Sequence, residues 1–432
     1  MGDFNGWNLA ENTLMNKDGD HFWVDIDGLE PGKEYAFQYY IDGDLFIPDP
    51  YTNKVLDPWN DKYIPTETYP DILPYPSSAS KLVSVLQTNK PVYNWVNTGF
   101  KTPPDSNLVI YELLIRDFSE GPENKEGNIN GVLDRLDYLD QLNINALELM
   151  PFSEFEGNNS WGYNPSLYFA TDKAYGTEND YKKLIDSLHG RGIAVIMDIV
   201  LNHSFSTSPL LQLYFDGEKP LPENPWYNAD CPNTVYCWGF DFNHESIHTQ
   251  EFVDSVLRFW ISEFKFDGFR FDFTKGFTNT KSDGSAYDAS RIAILKRMTD
   301  KARAVKPDAI LILEHFAENK EEQELEDYGF LIWGNMNYNY NEATMGYHED
   351  NKSNFSNISY KNRNWKNPHL VGYMESHDEE RLMFKNLQYG ASTGDYSVKR
   401  PLYSIGKAGN GGFVFYTSSW AKNDLAIRRT WL

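Results

Sequence analysis

Polar residues stand where apolar runs end. Asp198, Asn202 and His203 follow the run at 193–200, Arg270 and Asp272 close 267–272, Glu314 closes 309–314, and His377 with Asp378 follows 370–374. Carboxyl groups at such ends are partly removed from water, and desolvated like charges are costly unless they do chemistry or hold a cation. Arg270 and Asp272 are two apart, so on a strand both side chains project to one side. The guanidinium would keep Asp272 ionised, as a nucleophile requires. Glu314 ends an apolar run, a setting that raises a carboxyl pKa and retains the proton a general acid must give. A bare carboxylate facing a protonated one is equipment for covalent displacement. Each residue also has a plainer reading. Asp198 could cap a helix or pair with Arg270, His203 could be structural, and Tyr163 and Trp161 could pack a core. His189, His315 and His348 are read as structural.

The elements that must position these groups repeat as apolar strand, polar loop and amphipathic helix from residue 107 onward, the pattern of a parallel sheet. Seven strand candidates are 108–114, 146–150, 193–200, 267–272, 309–314, 330–333 and 370–374. Between them run helical stripes such as Phe252, Val256, Trp260 and Phe264, or Val132, Leu136, Leu139 and Leu142. If the strands close into a (β/α)₈ barrel, the polar residues fall on the rim where such folds build active sites. The stretch 202–248 is too long for an ordinary connection and predicts a small inserted domain after the third strand. Residues 1–100 alternate short apolar segments with turn signals at Asp18-Gly19, Pro31-Gly32 and Asp42-Gly43, which predicts an N-terminal β-sandwich.

Composition narrows the partners. Against 39 Lys and Arg stand 63 Asp and Glu, and the net charge of −24 disfavours nucleic acid and anionic membranes while suiting neutral ligands or cations. No stretch approaches the roughly 18 to 20 consecutive apolar residues of a membrane span. Aromatic residues make up 16% of the 432 residues, a supply of flat rings that could stack on sugars. Cys231 and Cys237 could bridge in an oxidising compartment, although spacing alone does not establish it.

Six segments together resemble the α-amylase family of glycoside hydrolases. They are Asp198-Ile-Val-Leu-Asn202-His203, Gly268-Phe-Arg270-Phe-Asp272, Ile312-Leu-Glu314, Glu375-Ser-His377-Asp378, Trp161-Gly-Tyr163-Asn-Pro165 and Gly239-Phe-Asp241-Phe-Asn243. The resemblance implies a TIM barrel over 101–399 and retaining hydrolysis of α-1,4-glucosidic bonds in starch-type α-glucans, through a covalent glycosyl-enzyme. It implies Asp272 as nucleophile, Glu314 as acid/base and Asp378 as third catalytic carboxylate, with Tyr163, His203, Arg270, His377 and Asp198 around the sugar. Asn202 and Asp241 match positions that hold a structural calcium in the family. Lys275-Gly276 departs from the commoner Lys-His, leaving Lys275 as an expected sugar contact. The expected partner is an α-glucan bound by a monomer, with an extracellular or periplasmic location. Branching, debranching or glucan-transferring activity, or a non-catalytic glucan-binding role, are the alternatives.

Both ends read as irregular. Residues 1–7 resemble the middle of a sandwich module, and no signal peptide is visible there. Residues 400–432 show neither the helix nor the eighth strand that the resemblance implies, so the last strand is expected to be missing. A shift of reading frame near Lys399 would produce such an aberrant tail.

Overall fold

The structure is a computed structural model that describes residues 1–120, 127–390, 405–406 and 413–414. Seven parallel strands lie side by side in chain order: β1 (Ile110–Leu113), β2 (Ala146–Leu149), β3 (Ala194–Ile199), β4 (Gly268–Phe271), β5 (Ile310–Leu313), β6 (Leu331–Asn335) and β7 (Leu370–Tyr373). The larger crossover helices are α1 (Leu136–Gln141), α2 (Glu178–Gly190), α3 (Ile247–Phe264), α4 (Ala289–Val305), α5 (Asn319–Tyr328) and α6 (Asn337–Met345), and α7 (Leu382–Tyr389) follows β7. Consecutive parallel neighbours joined by helices are the (β/α) barrel arrangement.

The alternation of side chains along each strand separates two cores. Leu147, Leu149, Val195, Met197, Ile199, Phe269, Phe271, Leu311 and Leu313 join the large cluster under the helices. Ala146, Ala194, Ile196, Ile310, Ile312, Leu331 and Trp333 form a second cluster on the opposite, inner face. Gly268 belongs to that inner series, and a Cβ there would lie 1.9 Å from the Ile310 carbonyl oxygen, so β4 and β5 could not pair as they do with a larger residue. The stripe Phe252, Val256, Trp260 and Phe264 is fully buried on α3, as its spacing predicts. The other stripe is interrupted. Helix Ile129–Leu133 ends and α1 begins after Arg135, whose backbone is not helical and whose guanidinium donates back to the Gly131 carbonyl.

Residues 1–87 form small antiparallel ladders, one of them Glu34–Phe37, Val83–Gln87 and Val55–Leu56. The predicted turn at Asp42-Gly43 joins Tyr39–Ile41 to Leu45–Ile47 with both central residues at positive φ, as a tight hairpin requires. This N-terminal part is tied to the barrel by Lys173, 3% exposed, which pairs with Asp61 at 3.2 Å and with Glu154. After β3 the 202–248 stretch forms the ladder His203–Ser204 with Phe240–Asp241, and Cys231 and Cys237 are joined by a disulfide. Of the tail, Ile405–Gly406 pairs with Phe413–Val414, and the rest of 400–432, with the question of an eighth strand, lies outside the described residues.

Candidate active site

Strand register assembles the site. Asp198 on β3 pairs with Arg270 on β4, and Phe271 on β4 pairs with Leu313 on β5, so the next residues, Asp272 and Glu314, emerge at one level of the inner face. Arg270 is fully buried. Its Nη1 donates to Asp198 Oδ1 at 2.8 Å and Asp272 Oδ1 at 3.1 Å, and its Nη2 lies 3.0 Å from Glu314 Oε2. The guanidinium carbon sits 4.3 Å from the centre of the Trp333 ring. After Asp272 the chain turns sharply at Phe273, which adopts a left-handed backbone with φ 44°, and its N–H donates to Glu314 Oε2 at 2.9 Å. Three carboxylates therefore converge on one guanidinium.

That ratio governs protonation. Burial pushes the Asp272 carboxyl well up, the nearby Glu314 charge adds to it, and Arg270 opposes both. Arg270 favours the ionised form of Asp272, as their spacing predicts, but it acts against burial and the Glu314 charge. One guanidinium is shared among three carboxylates, so its pull on any one of them is divided. Asp198 is likewise raised by burial against the pull of Arg270.

Tyr163 comes from the connection between Ser153–Phe155 and Pro165–Thr171, an antiparallel pair beyond β2. Its hydroxyl donates to Asp198 Oδ2 at 2.6 Å, and its ring stacks on His377 with centroids 4.7 Å apart. His377 follows β7, and its Nδ1 is 2.9 Å from Glu112 Oε1 on β1. This hydrogen bond joins the rims of the first and seventh strands. Asp378 stands further out, its side chain 59% exposed, with Oδ1 3.5 Å from His377 Nε2. His203 is buried, and its Nε2 bonds the Tyr163 carbonyl at 2.9 Å. Burial lowers its pKa to about 4, so it is a neutral donor that reaches the site through Tyr163. Lys275 lies over the rings of Tyr236 and Phe273. Exposed Trp161 and Trp238 flank this group, Trp161 against His377 and Trp238 against Phe273.

Asn202 and Asp241 are both buried on neighbouring segments of the inserted stretch. Asn202 Oδ1 has no hydrogen-bond partner, and a Cβ at residue 276 would lie 2.1 Å from it, which accounts for Gly276. Burial raises Asp241 to about 7, opposed by a hydrogen bond from Asn228. An orphaned buried amide oxygen and an under-compensated buried carboxyl are both the kind of oxygen donor that a hard cation takes. His189 and His315 each bond a carboxylate, Asp267 and Glu321, and His348 bonds Ser353.

Sequence reasoning missed Glu112, Glu148 and Trp333. Glu112 and Glu148 face each other on β1 and β2, and carboxylate oxygens of both approach Asp198 so that all three lie within 4.8 Å of one another. Their signal was the one used for Asp198: a single acid inside an apolar strand.

Residues 112–238 match the family model of the α-amylase catalytic domain. Over this span the chain carries an α-amylase-family catalytic-domain segment, and relatives in that family match it. Asp272, Glu314 and Asp378 lie beyond the matched span, on later strands of the same sheet. An α-amylase of Dictyoglomus thermophilum is 31% identical over 235 residues, covering 50% of this chain and 45% of the relative. A malto-oligosyltrehalose trehalohydrolase of Saccharolobus solfataricus is 28% identical over 262 residues, covering 60% and 39%. The chain thus spans less than half the length of either relative. Among solved structures, the catalytic module of a multi-modular glycogen-degrading pneumococcal virulence factor superposes with a TM-score of 0.57 at 19% identity, over 84% of this chain and 57% of that one, a likeness of fold. Among the described residues no helix is long and apolar enough to cross a membrane.

Proposed function

We propose that this chain is a retaining hydrolase of α-1,4-glucosidic bonds in starch-type glucans. The observation that carries the reading is the convergence of Asp198, Asp272 and Glu314 on buried Arg270. In this reading Glu314 is the proton donor and Asp272 the nucleophile. Asp272 attacks the anomeric carbon while Glu314 gives its proton to the departing glycosidic oxygen, leaving a glycosyl ester on Asp272. Glu314, now a base, takes a proton from water as that water attacks the same carbon, and the sugar leaves with its α-configuration retained. Arg270 stays in contact with both carboxylates, so it can balance the charge wherever the proton resides. Asp378 on the rim would hold sugar hydroxyls, Tyr163 and the exposed tryptophans would stack on sugar faces, and Lys275 would contact the product side.

Asn202 and Asp241 would hold a calcium ion, which would supply charge tying the inserted stretch to the barrel. The Cys231–Cys237 bridge favours an oxidising location, extracellular or periplasmic. The trehalohydrolase relative motivates a second reading, cleavage or transfer on a different α-glucan linkage. Reducing-sugar release from soluble starch, with NMR assignment of the first-formed anomer, tests the first. The expected result is an α-product, with D272N slower by at least about 10³-fold. A β-product, or full activity in D272N, would overturn the assignment. Products from amylose against pullulan separate the second reading.

A further inference from the structure

Glu112 is an acid inside the apolar strand β1, and it is not among the residues that would touch the reacting bond. Its Oε1 lies 2.9 Å from His377 Nδ1, across the gap between the first and seventh strands. The hydrogen atoms in this corner can be assigned by elimination. The Asp198 carboxylate accepts from Arg270 on one oxygen, and its other oxygen takes the Tyr163 hydroxyl proton at 2.6 Å. The Tyr163 oxygen, 3.2 Å from His377 Nδ1, is then left to accept. With Glu112 on one side and that oxygen on the other, Nδ1 has two acceptors and must carry a proton. His377 Nε2 faces Asp378 Oδ1, an acceptor as well.

We propose that Glu112 is a positioning residue that holds His377 as a doubly protonated imidazolium, flat against Tyr163 and with Nε2–H turned to the substrate side. The charges around the imidazole support this state. Glu112 on β1, Asp198 on β3, Asp272 beyond β4 and Asp378 on its own loop favour the cation. Arg270 on β4 opposes it, while Tyr163, Trp161 and Trp333 contribute rings. Burial alone would lower the His377 pKa, yet the hydrogen bond to Glu112 and the charge of that carboxylate outweigh it and raise the pKa to about 9. Glu148 on β2 is the counterpart. It is fully buried, its Oε1 has no partner, and burial next to Glu112 and Asp198 raises its carboxyl strongly, so it stays neutral.

The consequence for catalysis rests on the hydrolase reading: a permanent imidazolium donates to a sugar hydroxyl and, with Arg270, offsets the charge of Asp272. Two readouts separate the two ideas. Histidine ring NMR on the full chain, assigned with H377Q, gives the His377 midpoint without any turnover. In the wild type both ring nitrogens should carry protons at pH 7.5. E112Q should lower the midpoint by about 1 to 3 units, and E148Q, replacing a neutral acid by its isostere, should not move it. In kinetics on a glucan, the alkaline limb of the kcat/KM profile should move to lower pH in E112Q by the same amount. A wild-type His377 that titrates at its ordinary value refutes the proposal even if no variant folds. So does a midpoint unmoved by E112Q, or lowered equally by E148Q. Absence of glucan hydrolysis with the NMR result intact refutes only the hydrolase reading.

Discussion

Replacing Arg270 by Met removes the one cation that three carboxylates share while keeping most of the side-chain volume. The wild-type guanidinium reaches Asp198 at 2.8 Å, Asp272 at 3.1 Å and Glu314 at 3.0 Å with no exposure to water. Deleting one partner of a buried pair costs about 3–5 kcal/mol, because the charges left behind stay desolvated. The pH dependence follows from the direction of the shifts. Asp198 and Asp272 are already raised above their ordinary values, and Arg270 lowers both. Without it they rise further. An acid raised in the folded state contributes stability at low pH that is lost as pH climbs toward its folded pKa. R270M should therefore lose about 3–5 kcal/mol at pH 8 and clearly less at pH 4.5, where the carboxyls are protonated in the folded protein. Urea unfolding at the two pH values, followed by tryptophan fluorescence, measures this. R270K is the control, since a point charge on a flexible stem cannot bridge three carboxylates and should recover only part of the loss. A loss below about 1 kcal/mol, or one equal at both pH values, would refute the balance of charges described for this site.

Asp241 gives a second test. Its folded pKa of about 7 against an ordinary 3.8 means that, in chelator, its ionisation costs stability progressively as pH rises from about 4 to about 7, up to about 4 kcal/mol. D241N should be more stable than wild type at pH 8 in chelator, equal to it near pH 4, and unresponsive to calcium; stabilisation of D241N by calcium equal to that of the wild type would exclude Asp241 as a ligand. Lys173 joins Asp61 and Glu154 in a buried cluster, so K173M should loosen residues 1–100 and speed their proteolysis relative to the barrel. An unchanged cleavage pattern would show that the N-terminal part docks without that charge.

The strands were legible because their apolar runs are long and end in polar residues; six of the seven windows contain the observed strand, and β6 runs two residues past its window to Asn335. Arg270 and Asp272 could be grouped from spacing alone, since period two places them on one face. Glu112 and Glu148 escaped because a lone acid in an apolar run has the same local appearance whether it faces solvent or the barrel interior. The break between Leu133 and Leu136 was equally invisible, because the apolar stripe continues through it.

By itself the sequence determined the succession of strands along the chain, the shared side of Arg270 and Asp272 and the group of carboxyls at the strand ends, because these follow from periodicity and from the cost of burying charge. Tertiary structure decided what those charges do. Only the register of β3, β4 and β5 brings three carboxylates to one guanidinium, and only the curling of the sheet brings Glu112 to His377, 265 residues away. A pKa depends on neighbours in space and on exclusion of water, and neither is written in the order of the residues.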